Sequence, residues 1–272
     1  MNGKALYITT SWDDGHPCDL RLAELLARYN IPATFYVPIS NQKPVLTSAQ
    51  IREVSRSFEI GGHTISHCDL TTKSEEEAWR EIYGCKAAIE TITSKPCNAF
   101  CFPLGRFRRR HVGQVNDAGF RVARTVELMS LAGPRIDDGL ALMPTTVQSI
   151  PPTLGAIVRN TLKRGKFQNL ARYLSSERRS WVSLAASVLH CASSEGGIFH
   201  LWGHSWEIEE LGLWSDLEAI LSLIAEYDGQ AVMLTNSDLA ARLRCKSATE
   251  GRGGHLRMEG CVFPEIGDGP KL

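Results

Sequence analysis

Residues 5–15 read ALYITTSWDDG, an apolar run that ends in two carboxylates and a glycine. The run predicts a buried β-strand, because short apolar segments rich in β-branched and aromatic residues favour strands. Adjacent residues of a strand point to opposite faces, so Asp13 and Asp14 can serve one site only if the chain turns there. Gly15 permits such a turn. A plain Asp-Gly turn without chemical function is the alternative interpretation.

Similar runs recur along the chain at 33–37, 58–60, 99–102, 120–123, 141–147, 198–202 and 231–234. Most of them are separated by helical spacing of apolar residues, as in 22–29, 79–89 and 217–224. Alternation of strands and helices predicts an α/β fold with a mainly parallel sheet covered by helices. Seven or eight such units favour a single barrel over an open doubly wound sheet.

Two segments depart from this rhythm. Residues 151–195 have a mostly helical pattern with basic stretches at 163–166 and 178–179, and they are predicted to form an insertion at the barrel mouth or rim. The basic stretches are interpreted as solvated helix faces, with a grip on an anionic substrate or lipid-linked carrier as the alternative. Residues 246–272 are rich in glycine and charge, which predicts a loose tail after a catalytic unit of residues 1–245.

The composition gives no reason to expect nucleic acid or an anionic membrane as a partner. Thirty basic residues balance thirty acidic ones, so the net charge is zero. No apolar stretch approaches the roughly 18 residues of a transmembrane span, and the N-terminal run is too short for a signal peptide. The eight cysteines are scattered without a C-x-x-C pair. A cytoplasmic protein without a transmembrane segment is therefore expected.

Two histidines follow the third predicted strand, where residues 61–67 read GGHTISH. His63 and His67 are four residues apart and can face one ion if the segment is helical or tightly turned. Two imidazoles and one carboxylate form a three-ligand site that leaves positions for water and substrate, as in catalytic metal centres. The histidines alone have an equally good structural interpretation, and the upstream aspartates favour the metal site.

Two further strand ends carry chemical features. The loop that starts at Pro103 after strand 99–102 is rigid by composition and can aim a backbone N–H at a developing oxyanion. The run 198–202 leads His204 into a turn loosened by Gly203, which places a titratable imidazole near the other motifs. His200 lies inside the apolar run and is interpreted as a packed strand histidine.

In this order, over about residues 5–240, the four motifs resemble the polysaccharide deacetylases, the NodB-homology proteins of carbohydrate esterase family 4. The T-F-D-D-G motif of that family corresponds to the segment that ends at Gly15, with Trp12 for phenylalanine, and its H-S/T-x-x-H motif corresponds to 63–67. The resemblance implies an irregular (β/α) barrel and one divalent ion bound by Asp14, His63 and His67. Zinc is the first expectation, and cobalt, nickel and manganese are alternatives.

The same resemblance implies roles for other positions. Asp13 corresponds to the general base and His204 to the general acid, and the backbone N–H of Leu104 corresponds to the oxyanion contact. The arginine that braces the base in the family is replaced here by Cys101, and Arg124 at the end of the next strand is the expected substitute.

The aspartate that orients the acidic histidine in the family has no obvious match, and Glu207 is the candidate for that position. Trp12, Trp202 and Trp206 are interpreted either as sugar-stacking or as core aromatics.

The implied function is the removal of an acetyl group from an N-acetylated sugar, a glycan or a glycan precursor that is free or linked to a lipid or nucleotide. One alternative is a metal-dependent amidohydrolase of the same fold that acts on a non-sugar amide or a cyclic imide. The other is a non-catalytic glycan-binding relative.

Overall fold

The computed structural model describes residues 5–150, 153–178 and 180–250 of the 272-residue chain. Its ten strands are β1 (Leu6–Asp13), β2 (Ala33–Val37), β3 (Glu59–Gly62), β4 (Ala99–Cys101), β5 (Val122–Arg124), β6 (Arg135–Asp137), β7 (Leu140–Met143), β8 (Val147–Gln148), β9 (Gly197–Gly203) and β10 (Val232–Met233). The helices of the described residues are α1 (Asp19–Arg28), α2 (Ser48–Val54), α3 (Glu75–Thr93), α4 (Arg109–Asp117), α5 (Leu154–Arg164), α6 (Phe167–Ser175), α7 (Trp181–Glu195), α8 (Ser205–Glu210), α9 (Trp214–Ala225) and α10 (Asn236–Glu250).

All ten strands belong to one sheet, in the order β6-β7-β5-β4-β3-β2-β1-β9-β8, with β10 also paired to β1. Every pairing among the described residues is parallel except that of β6 with β7. The sheet curls into a partial barrel surrounded by helices, which confirms the predicted α/β barrel class. Because the strands are parallel, their carboxyl ends meet at one edge, where side chains from distant parts of the chain can form a site.

Both faces of the sheet are covered, and for this reason β1 is buried along its whole length. Ile8 and Trp12 belong to the main hydrophobic core, together with Leu22 and Leu26 of α1. A smaller cluster includes Tyr7 on the other face, and α10 contributes to it. Asp13 shares the face of Tyr7, so the first catalytic candidate lies on the side of the sheet that the smaller cluster fills.

Helix starts follow recognisable local signals. Thr47 and Gln50 form a capping box at α2, and Ser74 and Glu77 form one at α3. In each box the hydroxyl accepts from the N3 amide while the N3 side chain accepts from the cap amide, which satisfies two otherwise unpaired donors. These boxes fix where α2 and α3 begin, and α3 in turn supports the histidine loop described below.

The strand count differs from the seven or eight predicted. The run 141–147 divides into β7 and β8, because the chain leaves β7 at Pro144 and crosses to β9, where the Thr146 amide donates to the His200 carbonyl. The strand β6 was not predicted, since it is mostly exposed and carries no apolar run. The sheet is therefore built from more and shorter strands than the apolar pattern indicates.

The region 151–195 contains α5, α6 and α7, and its residues 151–152 and 179 lie outside the described residues. That this helical region is an insertion at the barrel mouth or rim stays a prediction. The boundary placed at residue 245 stays a prediction. The helix α10 runs five residues beyond it, and residues 251–272 of the predicted tail lie outside the described part of the chain. Within the described ranges, no helix combines the length and the apolar character that a membrane crossing needs.

Candidate active site

The chain turns sharply at the carboxyl end of β1. Asp14 has a φ of 75° and Gly15 a φ of 59°, the left-handed region that glycine adopts at little cost and aspartate only occasionally. A Cβ atom on Gly15 would lie 2.7 Å from Val37 Cγ1. The turn brings Asp13 and Asp14 to the lining of one cavity, as the sequence predicts for two neighbouring carboxylates with different roles.

The histidine loop after β3 brings two imidazoles to Asp14. The Oδ1 atom of Asp14 lies 3.0 Å from His67 Nε2 and 3.5 Å from His63 Nε2. The three ligand atoms all lie within 4.8 Å of one another. The segment is not helical, because Thr64 and His67 both have positive φ angles. Of the two geometries that the spacing allows, the tight turn is the one that brings these rings together.

Other contacts hold the histidines in this position. His63 Nδ1 lies 2.8 Å from the carbonyl oxygen of Cys101, so Nδ1 carries the proton and Nε2 presents its lone pair to Asp14. Glu81 of α3 accepts from the Ser66 amide at 2.9 Å and from the Ser66 hydroxyl at 2.8 Å. Glu81 has no signal in the sequence, because its support of the histidine loop depends on how α3 packs.

This set of donors fits a divalent cation. Asp14 Oδ1 is buried, and apart from the two imidazole nitrogens it has no polar partner in the described part of the chain. Burial opposes ionisation of Asp14, but His63 and His67 reverse the effect and hold the pKa of the carboxyl well below its usual range. A divalent cation between the carboxylate oxygen and the two imidazole nitrogens would satisfy all three buried ligand atoms at once. Two nitrogens and one oxygen are a ligand set that suits zinc and similar ions.

A second triplet, Asp13, His63 and Cys101, also lies within 4.8 Å, but it is a poorer metal site. Asp13 already has an ion pair with Arg124. Burial raises the pKa of the Cys101 thiol well above its ordinary value, and the thiolate is the form that binds metals. The first triplet is therefore the candidate metal centre.

Asp13 is paired with Arg124 in a buried environment. Arg124 Nη2 donates to Asp13 Oδ2, and Arg124 is 1% exposed. Burial alone would raise the pKa of Asp13, but Arg124, followed by His63 and His204, outweighs it and lowers the pKa below the usual value. Arg124 is the register partner of Cys101 across β4 and β5. The neighbouring strand thus supplies the positive charge that Cys101 does not.

We expect Arg124→Met to lower the free energy of unfolding by about 3–5 kcal/mol at pH 7, because the substitution leaves a buried carboxylate without its partner. Urea denaturation followed by circular dichroism measures the change. Arg109→Met, at an exposed position of α4, is the matched control and should stay within about 0.5 kcal/mol of wild type. If the two variants are equally stable, the pair is not required for the fold.

His204 lies at the end of β9, above the two aspartates. Its Nδ1 atom is 2.6 Å from Glu207 Oε2, and its Nε2 atom is 3.9 Å from Oδ2 of Asp13 and of Asp14. Burial lowers the pKa of His204, but the hydrogen bond to Glu207 and the charges of the two aspartates outweigh burial and raise it. Glu207 therefore holds the ring so that Nε2 faces the carboxylates.

His200 has a different environment. It is 1% exposed, with Nε2 2.8 Å from the Ser11 hydroxyl and Nδ1 2.9 Å from the Pro144 carbonyl. Burial, assisted by Arg124, lowers its pKa to about 3. This neutral, fully packed ring agrees with the interpretation of His200 as a structural strand histidine.

A cavity of about 600 Å³ opens over these groups. Trp206 Nε1 donates to Asp14 Oδ2 at 2.9 Å, and Lys43 Nζ lies 2.7 Å from the centre of the Trp206 ring. Trp206 thus orients the metal-ligand candidate, and one face of its ring is already covered by Lys43. Trp12 is completely buried and belongs to the core, whereas Trp202 lines the cavity. Lys43 lies in a loop without a motif, so its position could not be predicted from the sequence.

The loop after β4 forms one wall of the cavity. Pro103 and Gly105 are buried, and Leu104 between them has a φ of 58° and a side chain that is 59% exposed. A Cβ atom on Gly105 would lie 2.3 Å from Val126 Cγ2, so the backbone is closely packed there. This loop places Leu104 at the cavity.

Comparison with known proteins gives a consistent result. Residues 1–123 match the family model described as polysaccharide deacetylase. The resemblance to the polysaccharide deacetylases is confirmed. The matched segment contains Asp13, Asp14, His63, His67 and the β4 loop, while His204 and α5 to α7 lie beyond it.

Two solved structures share the polysaccharide deacetylase fold. A protein from Mycobacterium smegmatis, provisionally described as a polysaccharide deacetylase, superposes with a TM-score of 0.68 at 16% identity, over 97% of this chain and 96% of that chain. The chitin deacetylase of Colletotrichum lindemuthianum superposes with a TM-score of 0.55 at 14% identity, over 86% of each chain. At these identities the likeness establishes the fold alone.

Proposed function

We propose that this protein is a metal-dependent hydrolase that removes the acetyl group from an N-acetylated sugar, which is a glycan or a glycan precursor. One observation carries the proposal: the three-ligand set and two oppositely tuned titratable groups, Asp13 and His204, line the same cavity. Hydrolysis of an amide requires a base to accept a proton from water and an acid to protonate the departing amine, and a metal ion assists by polarising the carbonyl. Asp13, His204 and the three metal-ligand candidates could serve these roles. The family match of residues 1–123 supports a sugar as the substrate.

The side chains divide the chemistry among them. A divalent ion bound by Asp14, His63 and His67 would polarise the acetyl carbonyl and lower the pKa of water. Asp13, kept ionised by Arg124, accepts a proton as water attacks the carbonyl carbon. The Leu104 N–H donates to the developing oxyanion. His204 Nε2 then donates its proton to the nitrogen, the C–N bond breaks, and acetate and a free amine leave.

Acetate release by the metal-loaded protein tests this function. N-acetylglucosamine and its short oligomers should release acetate, measured with a coupled enzymatic assay, and a cyclic imide should not be opened. Opening of the imide without acetate release would favour the amidohydrolase alternative. Tight binding of glycan with neither reaction would favour a non-catalytic relative.

Asp13→Asn should retain the ion but lower the rate of acetate release by at least roughly 100-fold, since the amide cannot accept the proton. Elemental analysis after dialysis reports the metal, and the coupled assay reports the rate. Asp137→Asn, in the edge strand β6, is the matched control and should behave as wild type. Retained activity in Asp13→Asn would remove Asp13 from the role of base.

A further inference from the structure

A second cavity of about 560 Å³ adjoins the active-site cavity. The two cavities share Leu104, Gly105, Val126 and Trp202 as lining residues. The second one, termed here the α5 pocket, is completed by residues of α5, including Arg159, Lys163 and Arg164. A ligand with its acetamide beside Asp14 can therefore continue past Trp202 into the α5 pocket.

The α5 pocket has an unbalanced positive charge. Its lining includes Arg106, Arg159, Lys163 and Arg164 and no carboxylate of the described residues. Arg106 is neutralised by Asp69, 2.9 Å away. Arg159 and Lys163 are one helical turn apart, so they share a face of α5, and neither forms an ion pair within the described residues. This local charge contrasts with the zero net charge of the chain.

Arg164 adds an unsatisfied donor. Its Nε atom is buried without an acceptor in the described part of the chain. Burial lowers the pKa of the Arg164 guanidinium, although Glu127 counteracts the effect. A buried guanidinium N–H without a partner is costly, and an anion bound in the pocket that Arg164 lines would offset part of that cost through its charge. Asn160, which also lines this pocket, is already used, because its amide donates to the Val126 carbonyl at 2.6 Å.

We propose that the α5 pocket binds a phosphoryl group joined to the acetamido sugar, so that the substrate is a sugar phosphate or diphosphate. The inference rests on the proposed function, because it takes the acetamide to lie at the candidate metal centre. Two guanidinium groups and one ammonium group suit a phosphate dianion, since arginine donates two parallel hydrogen bonds to phosphate oxygens. The phosphoryl group serves binding and selectivity, and the reaction at the acetamide is unchanged.

Steady-state kinetics of the metal-loaded protein test this pocket. The KM for N-acetylglucosamine 1-phosphate should be at least about tenfold below that for N-acetylglucosamine, as one well-placed charged contact provides. In Arg159→Ala/Lys163→Ala this preference should disappear, while kcat/KM for the neutral sugar stays within about twofold. Arg109→Ala/Arg242→Ala removes the same charge at exposed positions outside both cavities, and it should keep the preference.

Binding of a ligand without an acetyl group separates this inference from the proposed function. By calorimetry, glucosamine 1-phosphate should bind wild type at least about tenfold more tightly than glucosamine, and the α5 double variant should lose the difference. This result supports the pocket even if no acetate is ever released. Acetate release from neutral sugars with no phosphate effect on KM or binding would overturn the pocket and leave the deacetylase function standing.

The source of the phosphoryl group is resolved by two further substrates. N-acetylglucosamine linked to UDP and to a short polyprenyl diphosphate should each be compared with the neutral sugar. A preference for either one that depends on Arg159 and Lys163 supports the pocket and identifies the carrier as nucleotide or lipid. A preference for a carboxylated sugar such as N-acetylmuramic acid, with none for the phosphorylated ones, would overturn the assignment.

Discussion

Replacement of His63 by alanine is expected to abolish both metal binding and acetate release. His63 is 2% exposed, its Nδ1 proton is committed to the Cys101 carbonyl, and its Nε2 atom is one of only three proposed ligand atoms. Loss of one ligand from such a site removes much of the affinity for the ion. Elemental analysis after dialysis should find about one ion per chain in wild type and essentially none in His63→Ala.

A stability measurement gives a second readout that does not depend on turnover. A ligand that binds only the folded state raises the melting temperature, so added zinc should raise that of wild type and leave that of His63→Ala unchanged. His190→Ala, at an exposed position of α7, is the histidine control and should respond as wild type does. Full metal occupancy in His63→Ala would remove this residue from the site.

The parts of the site that could be predicted from sequence are those whose geometry is local. Asp13, Asp14 and Gly15 are consecutive, and a turn at the end of a buried strand is enough to bring both carboxylates to one edge. His63 and His67 are separated by three residues, so only two local conformations can bring them to one ion. In both cases the side chains are close in the sequence, and the local backbone conformation, including the positive φ of Asp14 and His67, brings them together at the site.

The parts that the sequence predicts only weakly or not at all depend on pairing and packing between distant segments. Arg124 could be proposed as a substitute for the absent arginine, but its position opposite Cys101 follows only from the register of β4 and β5. Lys43 over Trp206 and Glu81 behind Ser66 have no local signal at all. The same reason explains β6, whose exposed residues form a strand only because β7 lies beside them.

The basic residues of the α5 pocket could be predicted from the sequence only in part. The basic character of the stretch 163–166 was visible in the sequence, and a solvated helix face was the simpler interpretation. The structure places Lys163 and Arg164 on a cavity wall shared with Trp202, whereas Lys166 does not line that cavity. The charge pattern of the sequence therefore indicated a candidate. Only the packing of α5, whose Asn160 is hydrogen-bonded to Val126 and Leu128 after β5, distinguished pocket residues from surface ones.

His204→Ala is expected to slow acetate release from an N-acetylated sugar by at least roughly 100-fold and to remove the alkaline limb of a bell-shaped pH–rate profile. Asp13 must be ionised when water attacks, so the rate falls as pH falls through its lowered pKa. His204 must be protonated when the amine leaves, so the rate falls as pH rises through its raised pKa, above 6.5. Without His204 only the acidic limb should remain.

The leaving group distinguishes loss of the acid from general damage to the site. An activated acetyl ester expels a leaving group that needs little protonation, so His204→Ala should retain far more activity on such an ester than on the amide.

Glu207→Gln, which weakens the hydrogen bond to His204 Nδ1, should move the alkaline limb of the pH–rate profile to lower pH, because the Glu207 carboxylate helps to raise the pKa of His204. His200→Ala is the matched control, since His200 is bonded to Ser11 and Pro144 and stays neutral. If His200→Ala loses the alkaline limb and His204→Ala keeps it, the proton donor is His200, and the raised pKa of His204 serves another purpose.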